Sequence, residues 1–381
     1  MPVDRTEDQE MLKQSIERFL KDHGDFDAQR RLMTTERGFR DETWRAFGEL
    51  GWLSIPFAAD HGGYGGSAID LITVTEVLGR SLVTEPFVAG LVLAGRLVER
   101  LGSPAHIEAL LTPLMGGDLH LALAHAERHS GGSPSCVSCR ADRSADGWVI
   151  TGEKIVVLNG PAADWLVVTA RSSGGERDAA GIEVFVVDAG AAGITRRDYP
   201  TVGAMRASDI RFDGVRVSAS GCIGDPSSNL DAIEAVIDEA VVAFSAEAVG
   251  AMAILLHDTV EYTKARKQFG RPIAQFQALQ FRMVDMWLAL QQAESALYMA
   301  ALHLPEGGPV ARRSVSALKV VVSRAARFVG EAAVQIHAGI GTSDELRVGH
   351  YFKRLLCIER LLGSPDYHLD RYAALMDFGA A

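Results

Sequence analysis

Hydrophobic spacing changes twice along this chain, near Leu119 and near Asn229, and the two changes limit the folds open to it. From Asp4 to His23 the apolar residues Met11, Leu12, Ile16, Phe19 and Leu20 recur at three and four, the spacing of an amphipathic helix, with Thr6 as its cap. Helical patterns continue through RDETWRAFGELGWL and SAIDLITVTEVLGRSL. The linker between them, IPFAADHGGYGG, reads as a turn, since a phosphate-cradling loop would need a strand before it and a helix start after it. Segments around Leu91 to Leu101 and Ala105 to Met115 complete an all-helical first lobe. After Leu119 the spacing shortens: LHLALAHAE, WVITGEKIVVLNG, DWLVVTAR, IEVFVVDA, ITRRDY and IRFDGVRV are β-branched runs separated by turn residues, with GGERDAAG as an exposed hairpin tip. No helical pattern lies among them, so they predict a small antiparallel barrel or sandwich. From Asn229 the chain is helical again, in four or five long pieces ending near Phe378. The expected class is α+β, mostly α, with boundaries at 1–118, 119–226 and 227–381.

The totals narrow the function. A net charge of -11 disfavours nucleic acid, whose phosphates need an accumulated positive face. Apolar runs such as FVAGLVLAGRLVERL are cut by charges before the roughly 20 residues a bilayer span requires, and the N-terminus begins with acidic and polar residues rather than a basic segment and an apolar one. No membrane partner and a cytoplasmic protein are expected. Four cysteines are too few for a disulfide framework. Cys136 and Cys139 form one C-x-x-C with His125 and His129 upstream; zinc or redox chemistry there competes with a small-residue loop entering a strand, and no metal is expected.

Two places carry chemistry. In EYTKARKQFGRPIAQFQALQF, residues 261–281, Gly270 and Pro272 break a helix that begins near Asn229, and another starts at about Ile273. The corner so formed gathers Arg266, Lys267, Gln268 and Arg271, cations and amide donors suited to an anionic group such as a pyrophosphate; the plainer reading is that they offset a helix end. Upstream on the same helix, Ile233, Val236, Ile237, Ala240, Val241 and Phe244 form a core face, with Glu239 and Glu247 among small apolar residues. A buried carboxylate there holds its proton more tightly and can act as a base toward a weak carbon acid; otherwise both glutamates face solvent or pair with a cation.

The corner resembles the signature of the acyl-CoA dehydrogenase family, and QIHAGIGTSDE, residues 335–345, is similar to its second motif. The resemblance covers nearly the whole chain. It implies a helical lobe, a middle β-barrel and a C-terminal four-helix bundle, with FAD as cofactor, an acyl-CoA as substrate and an electron-transferring flavoprotein as electron acceptor. In such enzymes the motif arginine and glutamine reach the FAD pyrophosphate of a neighbouring subunit, which implies Arg266, Gln268, Phe269, Gln335 and Gly339 as cofactor contacts here.

The same resemblance marks departures. A carboxylate takes the proton beside the thioester carbonyl while the next carbon gives hydride to the flavin, and family members place it in a Tyr-Glu-Gly-Thr. Here that stretch is Leu361-Leu362-Gly363-Ser364; Leu362 cannot take a proton, and Ser364 survives as a cofactor contact. Relatives with the base on the long helix point to Ala240, leaving Glu239 beside it as first candidate and Glu247 as second. A one-residue offset turns a helical side chain by about 100°. A Thr-Glu-Pro is replaced by Ala126-Glu127-Arg128, and the Trp and Thr that lie against the isoalloxazine ring by Val156 and Leu158. Contacts to a neighbour's FAD are kept while those to this chain's own ring and base are mostly lost. That pattern resembles branches that form complexes of two unlike chains, as in bacterial steroid breakdown or pimeloyl-type acid metabolism. A second acyl-CoA dehydrogenase-like subunit is therefore expected, with a self-sufficient homotetramer or a non-enzymatic helical interaction protein as alternatives.

Overall fold

The computed structural model describes residues 5–23 and 26–376. The helix expected from Asp4 begins at Glu7, and the expected ends at Asp4 and Phe378 lie outside the described residues. The helices that precede the strands begin with α1 (Glu7–His23), α2 (Phe26–Leu32), α3 (Asp41–Glu49) and α4 (Ala68–Arg80). A wide π-helical segment, Phe87–Gly95, runs into α5 (Arg96–Leu101), and α6 (Pro104–His106) and α7 (Thr112–Gly116) flank a second one, Ile107–Leu111. Thr6 does start α1: its Oγ1 accepts from the Gln9 N–H at 3.3 Å while Gln9 Oε1 accepts from the Thr6 N–H at 3.1 Å, a reciprocal cap.

The middle strands are β1 (Leu121–Ala124), β2 (Arg140–Ser144), β3 (Gly147–Leu158), β4 (Trp165–Arg171), β5 (Ile182–Asp188), β6 (Ile194–Pro200), β7 (Arg206–Ser218) and β8 (Cys222–Ile223). They form one sheet in the order β6-β7-β3-β2-β4-β5-β8, with β1 against β4. Most pairs are antiparallel, as the short connections predict, but β1–β4 and β2–β4 are parallel. Ile150, Val157, Leu166, Val168, Phe185, Ile210 and Phe212, all close to fully buried, form the core of this sheet.

The C-terminal helices are α8 (Asn229–Ala265), α9 (Gln277–His303), α10 (Gly308–His337), α11 (Arg347–Arg360) and α12 (Pro365–Ala374). By contacts the chain forms two compact units, one of residues 1–31, 68–83 and 241–381, the other of 32–67 and 84–240. In the first, α10 packs on α9, α11 and α12, and α1 and α9 pack on α4. Two glycines allow the closest approaches: a Cβ on Gly79 of α4 would lie 2.1 Å from the Glu247 carbonyl oxygen, and one on Gly250 would lie 2.0 Å from that of Glu76. Among the described residues, α8 alone has the length and apolar composition to cross a membrane. Of its apolar window 78% is buried inside the protein, the setting of a core helix that is apolar on all sides.

Candidate functional site

The corner is tighter than a helix-to-helix joint. α8 stops at Ala265, and Lys267–Gln268 pairs antiparallel with Arg271–Pro272 around Phe269 and Gly270. Both turn residues have positive φ, 53° and 78°, as in a two-residue hairpin whose twist matches that of its strands. The second helix therefore starts at Gln277, after a short turn at Ile273–Gln275, and not at Ile273. The hairpin displays its side chains: residues 266–271 are all exposed, Phe269 at 91%. The Arg271 guanidinium lies 4.2 Å over the Phe276 ring, and Phe269 meets the same ring edge-on. Arg266 and Lys267 make no side-chain ion pair among the described residues.

Gln335 and Gly339 lie on the last turn of α10 and in the turn after it, and both are exposed. Tyr262, one turn before Arg266, stacks on His337 with ring centroids 4.2 Å apart, which brings the end of α8 beside the end of α10. Arg347 clamps Asp258 with two bonds of 2.5 Å next to them. The two motifs, separated in sequence, are thus neighbours on one surface.

The loop at 361–364 is held from beneath. Leu362 takes φ 57° and Gly363 φ 101°, and a Cβ on Gly363 would come within 2.6 Å of the Tyr367 ring. His368 Nε2–H donates to the Leu362 carbonyl at 2.9 Å, and burial, which outweighs that bond, pushes the His368 pKa down to about 4, so the ring is neutral. Beside it Lys319, 3% exposed, donates to the Ile358 carbonyl at 2.5 Å. Ser364 caps α12, its Oγ accepting from the Tyr367 N–H at 3.2 Å. Replacing Ser364 by alanine is expected to cost about 1 kcal/mol of stability. A urea midpoint identical to wild type would remove the cap from its role.

Glu239 and Glu247 are both paired. Glu239 receives Arg96 on both oxygens, at 3.0 and 3.1 Å, and Arg100 on one of them. Arg96 also binds Glu99, which in turn takes the Ala58 N–H and faces His61 at 3.1 Å. Glu247 is 8% exposed and meets Arg354 Nη1 at 3.0 Å; burial raises its pKa and Arg354 opposes the rise. Arg354 also donates to the Val83 carbonyl at 3.0 Å, and Tyr351, three residues earlier, to that of Arg80. Glu239 lies in the second compact unit and the other predicted site residues in the first. Sequence reasoning missed Arg96, Arg100 and Arg354. The visible signal was one-sided: carboxylates among apolar residues need cations, which lie far along the chain.

In the middle domain, Val156 and Leu158 bring no hydrogen-bonding side chain to the positions that matched Trp and Thr. Glu127 stays and is used internally: it meets Lys154 Nζ at 2.7 Å and accepts from the Ser138 and Cys139 N–H groups. Burial opposes its ionisation, but Lys154 and these donors outweigh burial and lower its pKa. The residues of the zinc alternative are engaged elsewhere: His125 with Thr169 at 2.9 Å, and the Cys136 thiol with the His129 carbonyl at 3.7 Å. Burial raises the Cys139 pKa, which makes its thiol unreactive. Among the described residues no group of three or more His, Cys, Asp or Glu is placed to hold a metal ion.

Three family models match in order: acyl-CoA dehydrogenase N-terminal domain at residues 6–118, middle domain at 122–215 and C-terminal domain at 230–376. The chain belongs to the acyl-CoA dehydrogenase family, whose members are FAD-dependent oxidoreductases acting on CH–CH bonds. It is 29% identical over 316 residues to the short-chain specific acyl-CoA dehydrogenase of Megasphaera elsdenii, covering 80% of this chain and 81% of that one. Among solved structures it is similar to the ChsE4-ChsE5 complex from Mycobacterium tuberculosis, with TM-score 0.89, 26% identity and all of both chains covered. It is also similar to PigA with FAD and proline, with TM-score 0.90, 26% identity and 98% of each chain covered.

Proposed function

We propose that this chain works as one member of a pair of unlike acyl-CoA dehydrogenase subunits: it completes the pyrophosphate end of an FAD held by its partner, and the partner supplies the catalytic base. The observation that carries this reading is the hairpin at 266–271, whose Arg266, Lys267, Gln268 and Phe269 all point outward with Gln335 and Gly339 on the adjoining surface. Guanidinium and amide donors that no side chain engages among the described residues suit a diphosphate presented from outside. A Cβ at Gly270 or Gly339 would meet nothing within 4 Å, so the surface is open to a ligand.

Further observations support the pair. α9 exposes Phe281, Val284, Trp287 and Leu288 at 60, 52, 51 and 46%, an apolar stripe at helical spacing of the kind that another chain covers. The similar ChsE4-ChsE5 structure is a complex of two named chains. For this chain's own flavin ring the fit is poor, because Ala126, Val156 and Leu158 bring no hydrogen-bonding group. At 361–364 there is an alkyl side chain where a proton acceptor is needed, and Glu239 has both oxygens committed to arginines. FAD, when bound, supplies the hydride acceptor; this chain's contribution is to hold its charged end and orient it. An acyl-CoA substrate, an electron-transferring flavoprotein as acceptor, a cytoplasmic location and working boundaries at 118/119 and 226/227 belong to the same reading, the last supported by the family-model spans.

A second reading, a self-sufficient oligomer, is favoured by Glu247, whose raised pKa is that of a carboxylate able to take a proton from a weak carbon acid. The visible spectrum and FAD content of the chain expressed alone, and then with a companion family member, separate the two. A colourless chain that gives a yellow complex with about one FAD per pair is expected. A yellow oligomer with one FAD per chain would overturn the pair and make Glu247 and Glu239 the residues to replace.

A further inference from the structure

A cleft of ≈ 190 Å³ opens on the outer face of β3, β6 and β7, within the second compact unit. Three arginines, Arg128, Arg197 and Arg211, reach it together with two carboxylates, Glu153 and Asp209, whereas Lys154 turns inward to Glu127 and Arg196 to the Gly160 carbonyl. Period-two alternation makes this face: Ile210 and Phe212 of β7 point into the sheet core, so Asp209 and Arg211 point out, beside Thr195 and Arg197 of β6.

Asp209 organises the cleft. Between the pairs Lys154–Ile210 and Val157–Ser208, strand β3 carries an extra residue, and the bulge puts Val156 at φ 50°, a region a β-branched residue enters only under strain. The freed Val156 N–H donates to Asp209 at 3.2 Å, the Tyr199 hydroxyl at 2.8 Å and Arg197 at 2.6 Å. With Asp209 satisfied by these three donors, the two remaining arginines are loosely held. Arg128 stands 3.7 Å from Asp209 and Arg211 4.0 Å from Glu153, with side chains 61% and 64% exposed.

We propose that this cleft binds a phosphate-bearing anion, gripped by Arg128 and Arg211 from its two sides, with Arg197 held in place by Asp209. The size supports a small oxyanion: the cavity holds the volume of about six waters, enough for a phosphate or diphosphate group, with any larger body of the ligand left outside. Guanidinium groups on flexible, exposed arms can form paired bonds to phosphate oxygens, and the three arginines outnumber the two carboxylates. The site shares no residue with the hairpin at 266–271, but Arg128 and Val156 belong to the stretches matched to flavin-ring contacts, so it rests on the reading that this chain holds no flavin ring of its own.

Calorimetric titration with inorganic pyrophosphate tests it, in the full chain carrying Arg266→Ala so that the hairpin at 266–271 does not take the probe. Binding is expected in this parent, to weaken about tenfold when Arg128→Gln or Arg211→Gln is added, and to vanish when both are added. Arg143→Gln, an exposed arginine stacked on Trp148 outside the cleft, is expected to leave binding as in the parent. ADP competing for the same site would assign the diphosphate to a nucleotide, and pyrophosphate binding alone would assign a free anion. No binding in the parent, or equal loss on adding Arg143→Gln, or undiminished binding when both cleft substitutions are added, overturns the proposal.

Discussion

Replacing Arg266 by alanine is expected to lower FAD retention in the assembled complex by about tenfold to a hundredfold, the range of about 1.5–3 kcal/mol lost with a charge-assisted hydrogen bond. The chain itself should be untouched, because Arg266 is exposed and anchors nothing within it: its backbone N–H bonds to Tyr262 and its carbonyl accepts from Ile273, and both survive the substitution. Equal urea midpoints for wild type and variant, measured on the chain alone, make the comparison fair. FAD content after dialysis of the co-expressed complex then reads the cofactor contact. Retention equal to wild type would remove Arg266 from the cofactor site and leave it as a helix-end cation.

Replacing Lys319 by methionine is expected to stabilise the protein at neutral pH. Its ammonium is buried against the Ile358 carbonyl, with only the neighbouring Glu359 to offset burial, and its pKa falls from 10.5 to about 7. The depression means that the folded state holds the charged form poorly. At about 1.4 kcal/mol per pKa unit the cost to stability is about 4 to 5 kcal/mol, present in full below the folded pKa. Between the two pKa values the unfolded chain binds the extra proton, so stability rises with pH and the cost fades toward 10.5. Methionine fills the same space without charge but leaves the Ile358 carbonyl without its donor, at about 1 kcal/mol. The net gain is about 3 kcal/mol at about pH 6 and shrinks to about 1 kcal/mol by about pH 9. Urea unfolding of both proteins across that range checks the sign: a destabilised variant, or a gain that does not change with pH, would show that Lys319 is not held against its charge.

The corner at 266–276 shows where local reasoning stops. Gly270 and Pro272 announce a break in any helical pattern, and the cations around it announce an anion. That the break is a hairpin depends on Phe269 adopting φ 53°, which no propensity of phenylalanine favours. Strand β2 was invisible for the opposite reason. Its residues Arg140–Ser144 have no alternating apolar signal, and it exists because β3 pairs along its whole length. The parallel pairing of β1 with β4 joins residues some forty positions apart, so no turn chemistry encodes it.

By itself the sequence determined the helix, sheet and helix order, the family, and the basic corner and its companion motif. Each of these is written in local spacing or in a short contiguous motif, and local spacing is what backbone periodicity reads. Tertiary structure alone decided which charges meet: Arg96 and Arg100 on Glu239, Arg354 on Glu247, Lys154 on Glu127, and the donors gathered on Asp209. The physical reason is that a buried charge requires a partner but does not specify where along the chain that partner lies. Packing brings such partners together, across 143 positions for Arg96 and Glu239 and across 27 for Lys154 and Glu127, and it thereby sets which carboxylates are committed and which surfaces stay open.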